Sequence, residues 1–213
     1  MVIRSCYAIF LESFNLELGP MNMLPPYSLF LQVTSMTSFY DVCRPTNSLM
    51  NCLNTRAPRE CINLATFRSL TLYNNDAFNY LSMYAAFEYI CGTGYQEFVN
   101  NEECFLRSVN DISLRQRVAH CQLLIDAANP IDVCESGSVN VQCVRNAYQW
   151  YCGPQIAHGM CEITVNFIRR LDVLDLNCLG ELSALCNKTP SKKLSLVVIM
   201  IIVFFGAASN MSF

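Results

Sequence analysis

Apolar positions along this chain recur at the three- and four-residue spacing of amphipathic helices, and no segment shows the sustained alternation that marks a strand. Val139, Cys143, Ala147 and Trp150 fall on one stripe behind Ser138, a candidate N-cap, and Cys152-Gly153-Pro154 supplies a stop. Leu114, Val118, Cys121 and Ile125 form a second stripe, capped near Asn110 and ended by Asn129-Pro130. Leu171, Leu174, Cys178, Leu182 and Leu185 make a third. Asp76 to Tyr89 has a helical pattern but is apolar on more than one face, which predicts a central, well-buried helix. The pattern predicts an all-α fold.

Both ends depart from this pattern. Leu194 to Ala208 carries no charge, is short for a membrane span, and has the length of the discarded tail of a GPI signal. Lys192 and Lys193 precede it and nothing basic follows, which opposes a span with the body outside. Asn187 is the expected attachment residue, although the spacer to Leu194 is shorter than usual; moving the site back to Ser183 would cut off Cys186. Asn187-Lys188-Thr189 is also an acceptor pattern for N-glycosylation. At the N-terminus, Glu12 and Glu17 interrupt the apolar run that a secretory signal from Met1 would need. A start at Met21 or Met23, with Leu24 to Val33 as the apolar core, reads better and discards Cys6. The expected organisation is an N-terminal extension and signal peptide over residues 1–42, a helical domain over 43–186, and an anchor tail over 187–213.

That helical domain holds twelve of the thirteen cysteines: Cys43, Cys52, Cys61, Cys91, Cys104, Cys121, Cys134, Cys143, Cys152, Cys161, Cys178 and Cys186. An even number at this density implies six disulfides and an oxidising, extracellular setting. Zinc sites need cysteines two to four residues apart, and none here is closer than Cys178 to Cys186. The spacing also repeats. Cys52, Cys61, Cys91, Cys104 and Cys121 correspond in order to Cys134, Cys143, Cys152, Cys161 and Cys178, and Ala86-Phe87-Glu88-Tyr89-Ile90-Cys91-Gly92 matches Ala147-Tyr148-Gln149-Trp150-Tyr151-Cys152-Gly153 in type. Two related helical units are expected, the first carrying an insertion between Cys61 and Cys91 that includes Leu64 to Asn75. Cysteines nine positions apart on one helix lie about 14 Å apart on opposite faces, beyond disulfide reach, so Cys143 and Cys152 must bridge to different neighbours. The full pairing stays open, since twelve cysteines admit roughly ten thousand connectivities.

The twelve cysteines, the aromatic-rich Cys91-Gly92 and Cys152-Gly153 motifs and the helical body resemble the nematode twelve-cysteine extracellular domain, domain-of-unknown-function family nineteen, over about residues 43–186. The nematode chondroitin proteoglycan type four domain is a second resemblance. The first resemblance implies a secreted or surface-attached domain with six disulfides, and supplies no activity.

Charge narrows the function classes further. Only 15% of residues are charged and the net charge is −3, so no basic face exists to neutralise phosphates and nucleic acid is excluded as a partner. Arg115 with Arg117 and Arg169 with Arg170 read as solvated helix surface. A Ser/His/Asp or Cys/His arrangement would have to use His120 or His158, both read as surface or boundary residues, and Glu97 with Glu102-Glu103 reads as a solvated face. No catalytic set, cofactor motif or metal site is expected. Glu135-Ser136-Gly137 is the only Ser-Gly and is compatible with glycosaminoglycan attachment at Ser136, while its commoner role is a turn into the next helix. The expected function is non-enzymatic: a secreted or cell-surface domain that binds a protein or glycan, with the insertion after Cys61 as the candidate binding loop. The alternatives are a structural matrix component and a tail-anchored membrane protein held by its C-terminal segment.

Overall fold

A computed structural model describes residues 2–34, 38–127 and 132–187. Among them are eleven α-helices and no strand: α1 (Val2–Glu12), α2 (Tyr27–Thr34), α3 (Phe39–Arg56), α4 (Leu64–Leu70), α5 (Asn74–Ile90), α6 (Tyr95–Asn100), α7 (Glu102–Asn110), α8 (Ile112–Ala127), α9 (Val133–Cys152), α10 (Pro154–Leu171) and α11 (Leu176–Asn187). The fold is a disulfide-rich all-α bundle. Short polar side chains start several of the helices by accepting from otherwise unpaired amides. Ser38 accepts from Asp41 N ahead of α3, Asn63 from Thr66 N ahead of α4, and Asp132 from Cys134 N and Glu135 N ahead of α9. Gly153, at φ 85°, and Pro154 at the next position turn the chain from α9 into α10.

Three apolar clusters lie along the bundle. The first gathers α1 to α5 around Tyr7, Phe10, Phe30, Phe67 and Tyr80, whose rings meet largely edge to face. Tyr80 keeps its hydroxyl satisfied by donating to Pro25 O at 3.0 Å. The second joins the end of α5 to α6, α8, α9 and α10, and the third packs α9, α10 and α11 around Val141, Cys161, Val165 and Leu182. Helix α5 contributes to the first two, which is why its sequence is apolar all round.

Six disulfides join the helices: Cys6–Cys52, Cys43–Cys91, Cys104–Cys152, Cys121–Cys143, Cys134–Cys178 and Cys161–Cys186. Helix α9 alone carries three, to α11 through Cys134, to α8 through Cys143 and to α7 through Cys152. The chain is a cysteine-rich extracellular domain, because this many bridges persist only where thiols are not kept reduced. Among the described residues no helix is long and apolar enough to cross a membrane, and Leu194 to Ala208 lies outside them.

Several expectations are corrected. Residues 2–34 are not an extension outside the body: Ile3, Cys6, Tyr7, Phe10 and Leu11 of α1 are buried in the first cluster, and Leu24 and Phe30 join them. Cys6 takes the place in the disulfide set expected for Cys61, which is free and exposed. The reason is local. Helix α3 stops at Arg56 because Pro58 holds Ala57 extended, so Cys61 sits in a separate short turn (Arg59–Cys61) outside the helix that carries Cys43 and Cys52. The two halves do not repeat their pairing either, since Cys134 bridges Cys178 while its counterpart Cys52 bridges Cys6. The stripe from Leu171 to Leu185 is broken by Asp172, left-handed at φ 58°, so Leu171 packs on the first cluster and Leu174 on the third. Residues 64–75 are not a loop, because α4 buries Phe67 and Leu70. Arg170 is not solvated: its side chain is 10% exposed and grips Glu88 through two contacts of 2.8 and 3.0 Å.

Candidate functional site

The bridges of α9 hold one aromatic side chain out in solvent. Trp150, the only tryptophan, is 69% exposed on the last turn of α9. The buried set of that helix is Val141, Val144, Ala147 and Tyr148, so the inward face lies to one side of the stripe through Val139 and Trp150. Arg117 of α8 lays its guanidinium over the indole at 4.3 Å from the ring centre, a cation–π contact that costs neither side chain its contact with water. Alongside lies a recess of about 590 Å³ lined by Ser113, Gln116, Arg117, His120, Asn146 and the Cys143 end of a bridge. Helices α8 and α9 cannot separate beneath it, because Cys121–Cys143 ties them directly and Cys104–Cys152 ties the end of α9 to α7.

A hydrogen-bonded corner fixes the neighbouring end of α8. Asp111 Oδ1 accepts from Ser113 Oγ at 2.6 Å and Leu114 N at 2.9 Å, and Tyr151 Oη donates to Asp111 Oδ2 at 2.9 Å. These donors, the Ser113 hydroxyl first, hold the Asp111 carboxyl down at about 2. Asp111 is thus the cap of α8, one residue beyond the expected Asn110. The surface nearby offers a flat aromatic ring stacked by a guanidinium, with an imidazole and two amides in the recess beside them. That set can stack on a sugar or peptide plane and hydrogen-bond around its edge.

A second polar cluster lies at the junction of α5, α6 and α10. His158 Nδ1 is 3.0 Å from Glu97 Oε1, Tyr89 Oη donates to Glu97 Oε2 at 3.1 Å, and Glu162 Oε1 is 3.9 Å from His158 Nε2. Burial raises the Glu162 carboxyl, with His158 partly opposing it, and burial together with Glu97 pushes the Tyr89 hydroxyl well up. These contacts clamp the end of α5 to α6 and α10. Gly159 lets it close, since a Cβ there would come within 2.6 Å of the Phe98 ring. Sequence reading treated Glu97 and His158 separately and missed their pairing, because 61 residues separate them and no local pattern links them.

The other sequence-derived candidates scatter. His120 lines the recess beside Arg117, and Glu103 makes an exposed pairing with Arg107 at 4.0 Å. Among the described residues no group of three His, Cys, Asp or Glu side chains is arranged to hold a metal ion. Ser136 is neither in a turn nor accessible: it lies in the first turn of α9, 8% exposed, with Oγ donating to Asp132 O at 3.1 Å. A glycosaminoglycan at this serine would require that turn to open. Asn187 ends α11, exposed, with Nδ2 donating to Ser183 O at 3.2 Å, and the rest of its acceptor pattern lies outside the described residues.

Comparison with protein-family models, curated proteins and solved structures returned no match.

Proposed function

We propose that this chain is a non-enzymatic extracellular binding module that recognises a protein or glycan through the Trp150 face. One observation carries the reading: the single tryptophan stands 69% exposed, stacked by Arg117, on a helix end fixed by bridges to its neighbours. Large aromatic side chains are normally buried, and an exposed one on a rigid support loses little entropy when a partner covers it. The resemblance to nematode surface domains fits the same reading, and the C-terminal apolar segment would serve as the lipid or membrane attachment.

The tryptophan is its own probe. Titration of the oxidised protein with a panel of glycosaminoglycan and neutral oligosaccharides, and with extracellular-matrix protein fractions, should shift indole emission saturably for at least one member. Trp150→Ala, tested against that member by surface capture, should lose about 2 kcal/mol or more of binding, and Arg117→Ala less. Undiminished capture by Trp150→Ala with all six bridges intact would reject this face.

A further inference from the structure

A second site lies elsewhere on the bundle. Helices α2, α3, α5 and α7 surround a pocket of about 340 Å³, within the size range of small-molecule sites. Its walls are aromatic and aliphatic, with Phe30 from α2, Phe39 from α3, Phe87 from α5 and Phe105 from α7. Among the described residues no Asp, Glu, Lys, Arg or His lines it. The Cys43–Cys91 bridge forms part of the wall and joins α3 to the end of α5, so the space is held open by covalent structure. Two of the four hydroxyl or amide side chains in the lining are already used: Thr34 donates to Phe30 O and Asn110 to Leu106 O. Ser82 Oγ and Tyr27 Oη remain without a hydrogen-bond partner among the described residues, although burial raises the Tyr27 hydroxyl and keeps it protonated.

We propose that this pocket binds an uncharged, mainly aliphatic molecule carrying one hydroxyl or carbonyl, of the fatty-alcohol class. An apolar chain replaces water against the rings, and its single polar group meets Ser82 or Tyr27. A carboxylate or ammonium entering the same space would lose hydration with no counter-charge to replace it, so the lining selects for neutrality. The proposal is independent of the Trp150 face, from which it differs in ligand, helices and chemistry.

The test is equilibrium dialysis of the full-length oxidised protein against labelled dodecanol and, separately, labelled dodecanoate at a pH where the acid is ionised. Dodecanol should bind saturably at one per chain, and dodecanoate at least about tenfold more weakly. Ala86→Trp, which fills the pocket from α5, should abolish dodecanol uptake. Leu106→Trp does the same from a half-exposed position that tolerates a larger side chain, so a folding failure of the first variant leaves the test intact. Trp150→Ala should bind dodecanol as the parent does. Absence of saturable dodecanol uptake, equal uptake of dodecanoate, or full uptake by a correctly bridged Leu106→Trp variant would each overturn the proposal.

Discussion

Removing the Cys6–Cys52 bridge tests the most consequential feature of the N-terminal half. The double substitution Cys6→Ala/Cys52→Ala removes the bridge without leaving either partner as an unpaired thiol. Its cost follows from the chain closed by the bridge. The two cysteines are 46 residues apart, and restoring that much freedom to the unfolded chain is worth about 4 kcal/mol on the loop-closure relation. For a domain of this size each kcal/mol moves the unfolding midpoint by about 2–4 °C, so a fall of about 8–16 °C is expected. Calorimetry under non-reducing conditions measures it, and a peptide map of the unreduced protein identifies the partners. Cys61→Ser is the matched control and should leave the midpoint within about 2 °C while abolishing the single titratable thiol, because Cys61 is exposed and unbridged. The rival arrangement, with Cys61 bridged and Cys6 dispensable, forecasts a large loss from Cys61→Ser and none from Cys6→Ala alone. A map joining Cys52 to Cys61, or a large loss from Cys61→Ser, would overturn the Cys6–Cys52 pairing.

Other substitutions probe the clamps that hold the helices. Arg170→Met leaves Glu88 without its partner; a buried pair broken on one side costs about 3–5 kcal/mol, reduced here to about 2–3 because Glu88 is 29% exposed, and denaturant unfolding should show a smaller added loss when Glu88→Gln is combined with it. Gly159→Ala pushes a methyl against the Phe98 ring and should cost about 1–3 kcal/mol by the same measurement. Asp111 predicts a pH dependence. Its folded pKa lies below the ordinary value of 3.8, so the stability it adds is present above that value and is lost as pH falls from there through about 2. Asp111→Asn should flatten the thermal midpoint over that interval and leave its slope elsewhere unchanged.

The all-α class was legible because helical spacing persists wherever a helix buries one face, and α5 could be read as central because it buries several. Helix α1 was not read from the sequence, because its segment was weighed only as a secretory signal. Glu12 breaks such a signal, yet Ile3, Tyr7 and Phe10 give α1 an inward face while Glu12, its last residue, is exposed. The site was harder. Trp150 shares a stripe with Cys143 and Ala147, so its pattern argued for burial, and only the position of α8 leaves the indole outside with Arg117 upon it. Glu97 with His158, and Glu88 with Arg170, join segments 61 and 82 residues apart, where no periodicity operates and tertiary packing alone decides.

Cysteine spacing explains which thiol is left over. Nine residues are two and a half helical turns, so consecutive cysteines at that interval face opposite ways and must staple different neighbours. Helix α9 is long enough to hold three, and Cys134, Cys143 and Cys152 go to α11, α8 and α7. Helix α3 starts the same series with Cys43, which reaches Cys91 at the end of α5, and Cys52, which reaches Cys6 on α1. The next term is Cys61, but Pro58 has already ended the helix, so the rule that would have aimed it at a third neighbour no longer applies. A bridge to α1 then takes the only partner that the first cluster supplies, and α1 becomes a covalently held wall of the domain. Spacing alone counts twelve cysteines in register; spacing read together with the helix stop says which twelve.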